Sequence, residues 1–254
     1  MIAVIKQQRI QISKNGQNYN DSIINDVNLK KEAALKAISF IKHQQLVGLG
    51  AGSTIAFMVE LLSGQVKGGL DIKVLTSSFI TRQLLLQKGF SVLPAAGVEK
   101  IDIYFDGCDQ VDYHLNALKS GGGIHTKEKL LASMATQFIL AGDESKYVAQ
   151  FTTACPLVIE FLPEALRYVP ARIQQLFADV KMVMRMSDKK DGAVITDNGN
   201  YLLDVWFCSW PELSQLNPIM KSITGVVETS LFYNLAHKAI IAGSDGIKII
   251  EKQS

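Results

Sequence analysis

Apolar residues recur at helical spacing over residues 28–41, where Leu29, Ala33, Ala37 and Ile41 share one face. The apolar run of residues 46–49 then predicts a short buried strand. It breaks into Gly50-Ala51-Gly52-Ser53-Thr54 and resumes as an amphipathic helix through Leu62. Residues 71–75 predict a second strand, and Thr76-Ser77-Ser78 lead into a helix through Leu86. A short strand at 91–93 and a longer one at 101–105 follow, the latter ending at Asp106-Gly107. Residues 127–140 carry a helical pattern whose last part, 137–141, shades into another strand. Strands alternating with helices imply a mostly parallel Rossmann-like sheet covered on both faces, the α/β class. Ligands in such sheets bind at the carboxyl ends of strands, and the polar, Gly-rich segments of this chain all fall there.

The texture changes near Val148. Pro156, Pro163 and Pro170 come at intervals, residues 180–186 read as a strand, and Asp197-Asn198-Gly199-Asn200 marks a hairpin turn between 193–196 and 201–205. Two further strands are expected at 238–243 and 247–250. The division expected is an N-terminal extension over 1–27, an α/β domain of 28–150 with 230–254, and a small α+β insertion domain over 151–229. The extension is rich in Gln, Asn, Lys and Ser without firm periodicity, and a helix is expected to begin near Asn28.

Composition narrows the function classes. The 254 residues are 48% hydrophobic, enough for a sizeable core. Lys and Arg number 26 against 24 Asp and Glu, interspersed along the chain. That balance calls for neither nucleic acid nor a membrane surface as partner. No run approaches the roughly 20 apolar residues of a membrane span, and the N-terminus lacks the apolar core of a signal peptide. Cys108, Cys155 and Cys208 are odd in number and widely spaced. They suit neither a zinc knuckle nor a disulfide framework, so a cytoplasmic protein without a metal site is expected.

Four segments are candidates for chemistry. In Gly50-Ala51-Gly52-Ser53-Thr54, glycines allow close backbone approach to an anion, and the helix behind offers unpaired N–H groups. A tight strand-to-helix turn explains the same residues about equally well. Asp106-Gly107-Cys108-Asp109, with Asp112 beyond, brings two carboxylates to a strand end, where they can separate their pKa values. On its own, an ordinary acidic turn accounts for it better. Lys119-Ser120-Gly121-Gly122-Gly123 forms a flexible loop whose amides can face an oxyanion. Glu128, just after it, is either a catalytic base or a solvated first-turn acid between Lys127 and Lys129. Lys146 closes Gly142-Asp143-Glu144-Ser145-Lys146, as a surface lysine or one reaching toward a phosphate. The histidines have no ligand-like spacing, and no histidine stands beside Cys108 to activate it.

Taken in order, these segments resemble ribose-5-phosphate isomerase, type A, from about Leu29 to the C-terminus. The residues carrying the likeness are the helix opening at Leu29-Lys30-Lys31, residues 47–54, Asp106-Gly107-Cys108-Asp109, residues 119–129 and 142–146, with 194–200, 225–228 and 245–247 further on. The resemblance implies an enzyme that interconverts ribose 5-phosphate and ribulose 5-phosphate without cofactor or metal, as a homodimer or homotetramer. It implies Glu128 as the base, Asp106 and Lys119 in ring opening and charge stabilisation, and Asp109 in the sugar pocket. Lys30, residues Gly50, Ala51, Gly52, Ser53 and Thr54, and Lys146 would hold the phosphate. Gly107, Cys108, Ser120, Gly121 and Gly122 would line the substrate site.

The chain departs from the family pattern at Ala51, Ser120 and Gln110, where threonine, glycine and glutamate are usual. Weaker phosphate affinity is expected at Ala51, where a hydroxyl is lost but backbone amides remain. Two other classes are weighed against the isomerase. A non-catalytic sugar-phosphate sensor of a repressor needs a DNA-reading helical module, and residues 1–27 are too short and unpatterned for one. A coenzyme A transferase relative fits the aspartate pair and the lysine–glycine segment poorly. The simultaneous presence of Asp106, Asp109, Lys119, Glu128 and Lys146 favours the isomerase.

Overall fold

A computed structural model describes residues 16–252 of the chain. The first half alternates as the apolar pattern requires: α1 (Gly16–Ile38), β1 (Leu46–Leu49), α2 (Ser53–Lys67), β2 (Lys73–Thr76), α3 (Phe79–Gln87) and β3 (Ile101–Asp106). Two short strands, β4 (Gln110–Val111) and β5 (Ala117–Leu118), precede α4 (His125–Met134) and β6 (Ala135–Asp143). The second half contributes β7 (Leu157–Phe161), α5 (Tyr168–Leu176), β8 (Val180–Met184), β9 (Tyr201–Phe207), α6 (Leu213–Ser222) and β10 (Val226–Thr229). β11 (Leu231–Phe232), β12 (Lys238–Gly243) and β13 (Gly246–Glu251) complete the chain.

The central sheet has the order β13-β12-β6-β3-β1-β2. β2, β1, β3, β6 and β12 run parallel, and β13 turns back antiparallel on β12 as an edge hairpin. The interior strands are apolar on both faces because helices cover both. On one side Val47, Leu49, Ile103, Phe105 and Ile139 pack with Ala33, Ala37, Ile55, Met58 and Leu62 of α1 and α2. On the other, Tyr104, Phe138 and Leu140 pack with Leu131 and Ala132 of α4 and with Phe232. A second, antiparallel sheet of order β10-β7-β9-β8 has its own core with α5 and α6, built on Phe161, Val169, Ile173, Val205 and Met220. A three-stranded sheet has the order β11-β5-β4.

Several boundaries differ from the sequence reading. The first helix starts at Gly16, twelve residues before Asn28, so part of the expected extension is helical; residues 1–15 lie outside the described residues. Extending an existing helix adds one hydrogen bond per residue fixed, whereas nucleation is costly, so a polar segment without proline continues the helix it adjoins. The helical pattern of 127–140 ends at Met134, because Phe138 to Ala141 complete the sheet between β3 and β12. Residues 91–93 make only a single bridge, Val92 to Val74. The Asp197–Asn200 turn is present, with Gly199 at φ 82° and the Thr196 N–H donating to Asn200 O at 2.9 Å. Its first arm makes isolated bridges rather than a strand.

Candidate active site

The carboxyl ends of three adjacent parallel strands, β1, β3 and β6, open onto one cavity of about 350 Å³. β1 leads through Gly50 and Ala51 into the N-terminus of α2. Gly52 stands there at φ 99°, and no side chain caps the helix. Its first backbone N–H groups and the positive end of its dipole therefore face the cavity, beside Ser53 and Thr54. Lys30 from α1, whose ammonium is also held by Asp26 at 2.5 Å, and Lys146 from the turn after β6 line the same cavity.

Gly50 itself does not line the cavity. Its contribution is steric, since a Cβ there would sit 2.1 Å from the Asp106 carboxyl group. That close approach lets Asp106, fully buried at the end of β3, accept from the backbone N–H of Ala51 at 3.1 Å and of Gly107 at 2.8 Å. Tyr104, two residues earlier on the same strand face, donates its hydroxyl to Asp106 Oδ2 at 2.8 Å.

Lys119 follows β5 and reaches back into this cluster. Its ammonium donates to Gly107 O at 2.6 Å and lies 3.0 Å from Asp106 Oδ1 and 3.3 Å from Glu128 Oε1. Burial disfavours the ammonium, but Asp106 and Glu128 outweigh it and leave its pKa raised. Glu128, in the first turn of α4, is only 4% exposed, which removes the solvated-acid alternative. Burial, and then the charge of Asp106, push its pKa up to about 8 against the opposing pull of Lys119. One cation shared between two buried carboxylates cannot fully stabilise both charges. The result is a carboxyl group able to exchange a proton near neutral pH.

Asp109 does not join that cluster. Its Oδ2 accepts from the backbone N–H of Ser120 at 2.5 Å and of Gly121 at 3.0 Å, tying the glycine loop down while the residue lines the cavity wall. Asp112 is a turn residue, accepting from the N–H groups of His114 and Asn116. Cys108 lines the cavity as a thiol whose pKa burial pushes up to about 12. Ser120 departs from expectation: its hydroxyl donates to Pro156 O at 2.6 Å, away from the cavity, which it does not line. Gln110 bonds Thr152 through both ends of its amide.

The other sequence-derived candidates, Ala51, Gly107, Gly121 and Gly122 among them, meet at the cavity. Ala141, Gly142 and Asp143, part of the candidate segment that ends at Lys146 but given no role of their own, also line the cavity. Sequence reasoning missed two further residues. Tyr104 was signalled only by its two-residue offset from Asp106. Glu160 carried no signal: from β7 it accepts from Thr126 of α4 and from Thr196, Asn198 and Asn200 of the turn, binding the start of the Glu128 helix to the second sheet. Among the described residues, no three His, Cys, Asp or Glu side chains converge as a metal site, and no helix is long and apolar enough to cross a membrane.

An uncapped helix end and two lysines facing a buried carboxylate–ammonium cluster define an α/β site suited to proton transfer on an anionic substrate. The sequence model of ribose 5-phosphate isomerase A (phosphoriboisomerase A) matches residues 73–246. A ribose-5-phosphate isomerase A of Pyrococcus abyssi is 36% identical over 226 residues, 88% of this chain and 98% of that one. Its counterpart from Methanothermobacter thermautotrophicus is 38% identical over 225 residues, 88% of this chain and 98% of that one. The ribose 5-phosphate isomerase A structure from Methanocaldococcus jannaschii superposes with a TM-score of 0.83 at 31% identity, covering 89% of this chain and 99% of that one. A D-ribose-5-phosphate isomerase in complex with phospho-erythronic acid gives 0.83 at 33% identity, covering 88% and 98%. The chain belongs to the ribose 5-phosphate isomerase A family of aldose–ketose isomerases.

Proposed function

We propose that the chain interconverts D-ribose 5-phosphate and D-ribulose 5-phosphate through an enediolate, as a step of non-oxidative pentose phosphate metabolism. The observation that carries this reading is the buried Asp106–Lys119–Glu128 cluster set opposite the uncapped start of α2 within one cavity. The phosphate sits at the amides of residues 52–54 with Lys30 and Lys146 beside it; Ala51 lacks a hydroxyl and its own amide is given to Asp106, but the other three amides remain in place. Asp106 and Lys119 assist opening of the sugar ring, and Asp109 shapes the pocket.

The Glu128 carboxylate takes the proton from C2 of the open aldose, and the electron pair forms the C1–C2 double bond as O1 becomes negative. The Lys119 ammonium and the Gly122 amide stabilise that charge. The hydroxyl proton on O2 passes to O1, and Glu128 returns its proton to C1, leaving the ketone at C2. The test is ribose 5-phosphate turnover by chelator-treated protein, followed by ketose appearance and by exchange of the C2 proton with solvent. Ketose formation with exchange is expected; binding without turnover would overturn the reading in favour of a sensor.

The division into residues 28–150 with 230–254 and residues 151–229 is supported by the separate core beneath the second sheet. We place the protein in the cytoplasm, in keeping with its three free cysteines. A homodimer or homotetramer is favoured by the apolar side chains Leu162, Leu166, Tyr168 and Leu176, all exposed around the proline-containing segment. Sedimentation of a monomer at micromolar concentration would refute that assembly.

A further inference from the structure

Arg185 follows β8 in the second sheet and reaches across to the glycine loop of the first. Its Nη2 donates to Ser120 O at 2.8 Å and its Nη1 to Gly121 O at 3.3 Å. The same guanidinium is held by Asp204 of β9, through Nη2–Oδ1 at 2.6 Å and Nε–Oδ2 at 3.2 Å. The planar fork of arginine can serve a carboxylate on one edge and two carbonyls on another, which a lysine cannot.

The consequence lies on the other side of each peptide plane. In a trans peptide the C=O and the following N–H point in opposite directions. Fixing Ser120 C=O on Arg185 turns the Gly121 N–H to Asp109, where it bonds at 3.0 Å. Fixing Gly121 C=O on Arg185 turns the Gly122 N–H the opposite way, at a residue that lines the cavity. Three successive glycines have no side chains to hold these planes, so the loop takes its orientation from its partners on both flanks. Leu202 completes the support, since a Cβ on Gly123 would meet it at 2.8 Å.

We propose that Arg185, braced by Asp204, is a positioning residue that aims the Gly122 backbone amide at the reacting oxygens of the substrate. Nothing in it touches substrate; it acts through residues 120–122, and it ties the second sheet to catalysis in the first. The inference rests on the isomerase reading of the site.

The experiment compares wild type with Arg185→Met, Arg185→Lys and Asp204→Asn, measuring kcat and KM for ribose 5-phosphate, the inhibition constant for inorganic phosphate, and Tm. Loss of a direct oxyanion donor costs about 10²- to 10³-fold in kcat, so misaiming one is expected to lower kcat by about 10- to 100-fold in Arg185→Met. The phosphate inhibition constant should stay within about twofold of wild type, because the α2 end is untouched. Arg185→Lys keeps the charge opposite Asp204 and should lose kcat to a smaller extent, as should Asp204→Asn. These two variants also decide the matter if Arg185→Met fails to fold. Unchanged kcat in all folded variants would overturn the proposal, as would a parallel fall of kcat, phosphate affinity and Tm, which marks a merely structural tie. Absence of wild-type turnover would overturn the isomerase reading, and this inference with it.

Discussion

The Glu128 carboxylate stands 3.3 Å from the Lys119 ammonium, yet its pKa is raised to about 8, because burial and the charge of Asp106 outweigh that one cation. A base must be ionised to act. The kcat/KM of the free enzyme is therefore expected to rise with pH through the neutral and weakly alkaline range, as Glu128 loses its proton. A stopped set of initial rates between pH 6 and pH 9 checks this, and a flat profile would contradict it.

Glu128→Gln keeps the shape and removes the base. Turnover is expected to fall by at least about 10²- to 10⁴-fold, the usual contribution of a positioned base, while inorganic phosphate still binds. Calorimetric titration with phosphate beside the rate assay separates the two. Near-normal turnover in this variant would reassign the base.

The same substitution has a stability signature. A carboxyl whose folded pKa lies above its unfolded value contributes stability that is present below about pH 4.5 and is lost as pH rises through about 8. Glutamine carries no such charge. The Tm of Glu128→Gln relative to wild type should therefore increase steadily across that window, as read by thermal melts at several pH values. A difference that shrinks with rising pH would mean that Lys119 stabilises the ionised form more than burial opposes it.

At Gly50 no backbone strain is involved, only space. Gly50→Ala would drive a methyl group into the Asp106 carboxyl at 2.1 Å, against a side chain held by two amides and Tyr104. Overpacking of this kind costs about 1–3 kcal/mol, so the urea midpoint should drop and kcat should fall with it as Asp106 is displaced. Unaltered kcat would show that Asp106 can shift without consequence.

Ser120→Ala tests a residue that the motif suggested and the geometry moved elsewhere. Its hydroxyl bonds Pro156 O, so turnover and KM should stay close to wild type, with about 0.5–1.5 kcal/mol of stability lost. A clear rise in KM with unchanged stability would return Ser120 to the substrate site.

The one-dimensional pattern of apolar residues sufficed for the strands and helices from β1 to α3 and for β3, because each needs only its own period and a breaker at its end; β4, β5 and the change from α4 to β6 at Met134 needed the pairing of strands. Residues 50–54, the aspartate pair, Lys119 and Glu128 stood out as candidates by residue type, and the order of the segments, through their resemblance to a known family, chose among the readings of each. Their local alternatives stayed open because a first-turn glutamate reads the same whether solvated or buried. Only packing decided that Glu128 is enclosed, that it shares Lys119 with Asp106, and that Gly50 serves Asp106 rather than a phosphate. Packing also separated Asp109 and Ser120, which turn to the loop and to Pro156, from the residues that meet at the cluster. Glu160 and Arg185 lie on the second sheet, far from the site in the chain, and no local pattern marks them. A side chain's partner across a fold is set by how sheets and helices dock, and that geometry is not written in the spacing of its neighbours.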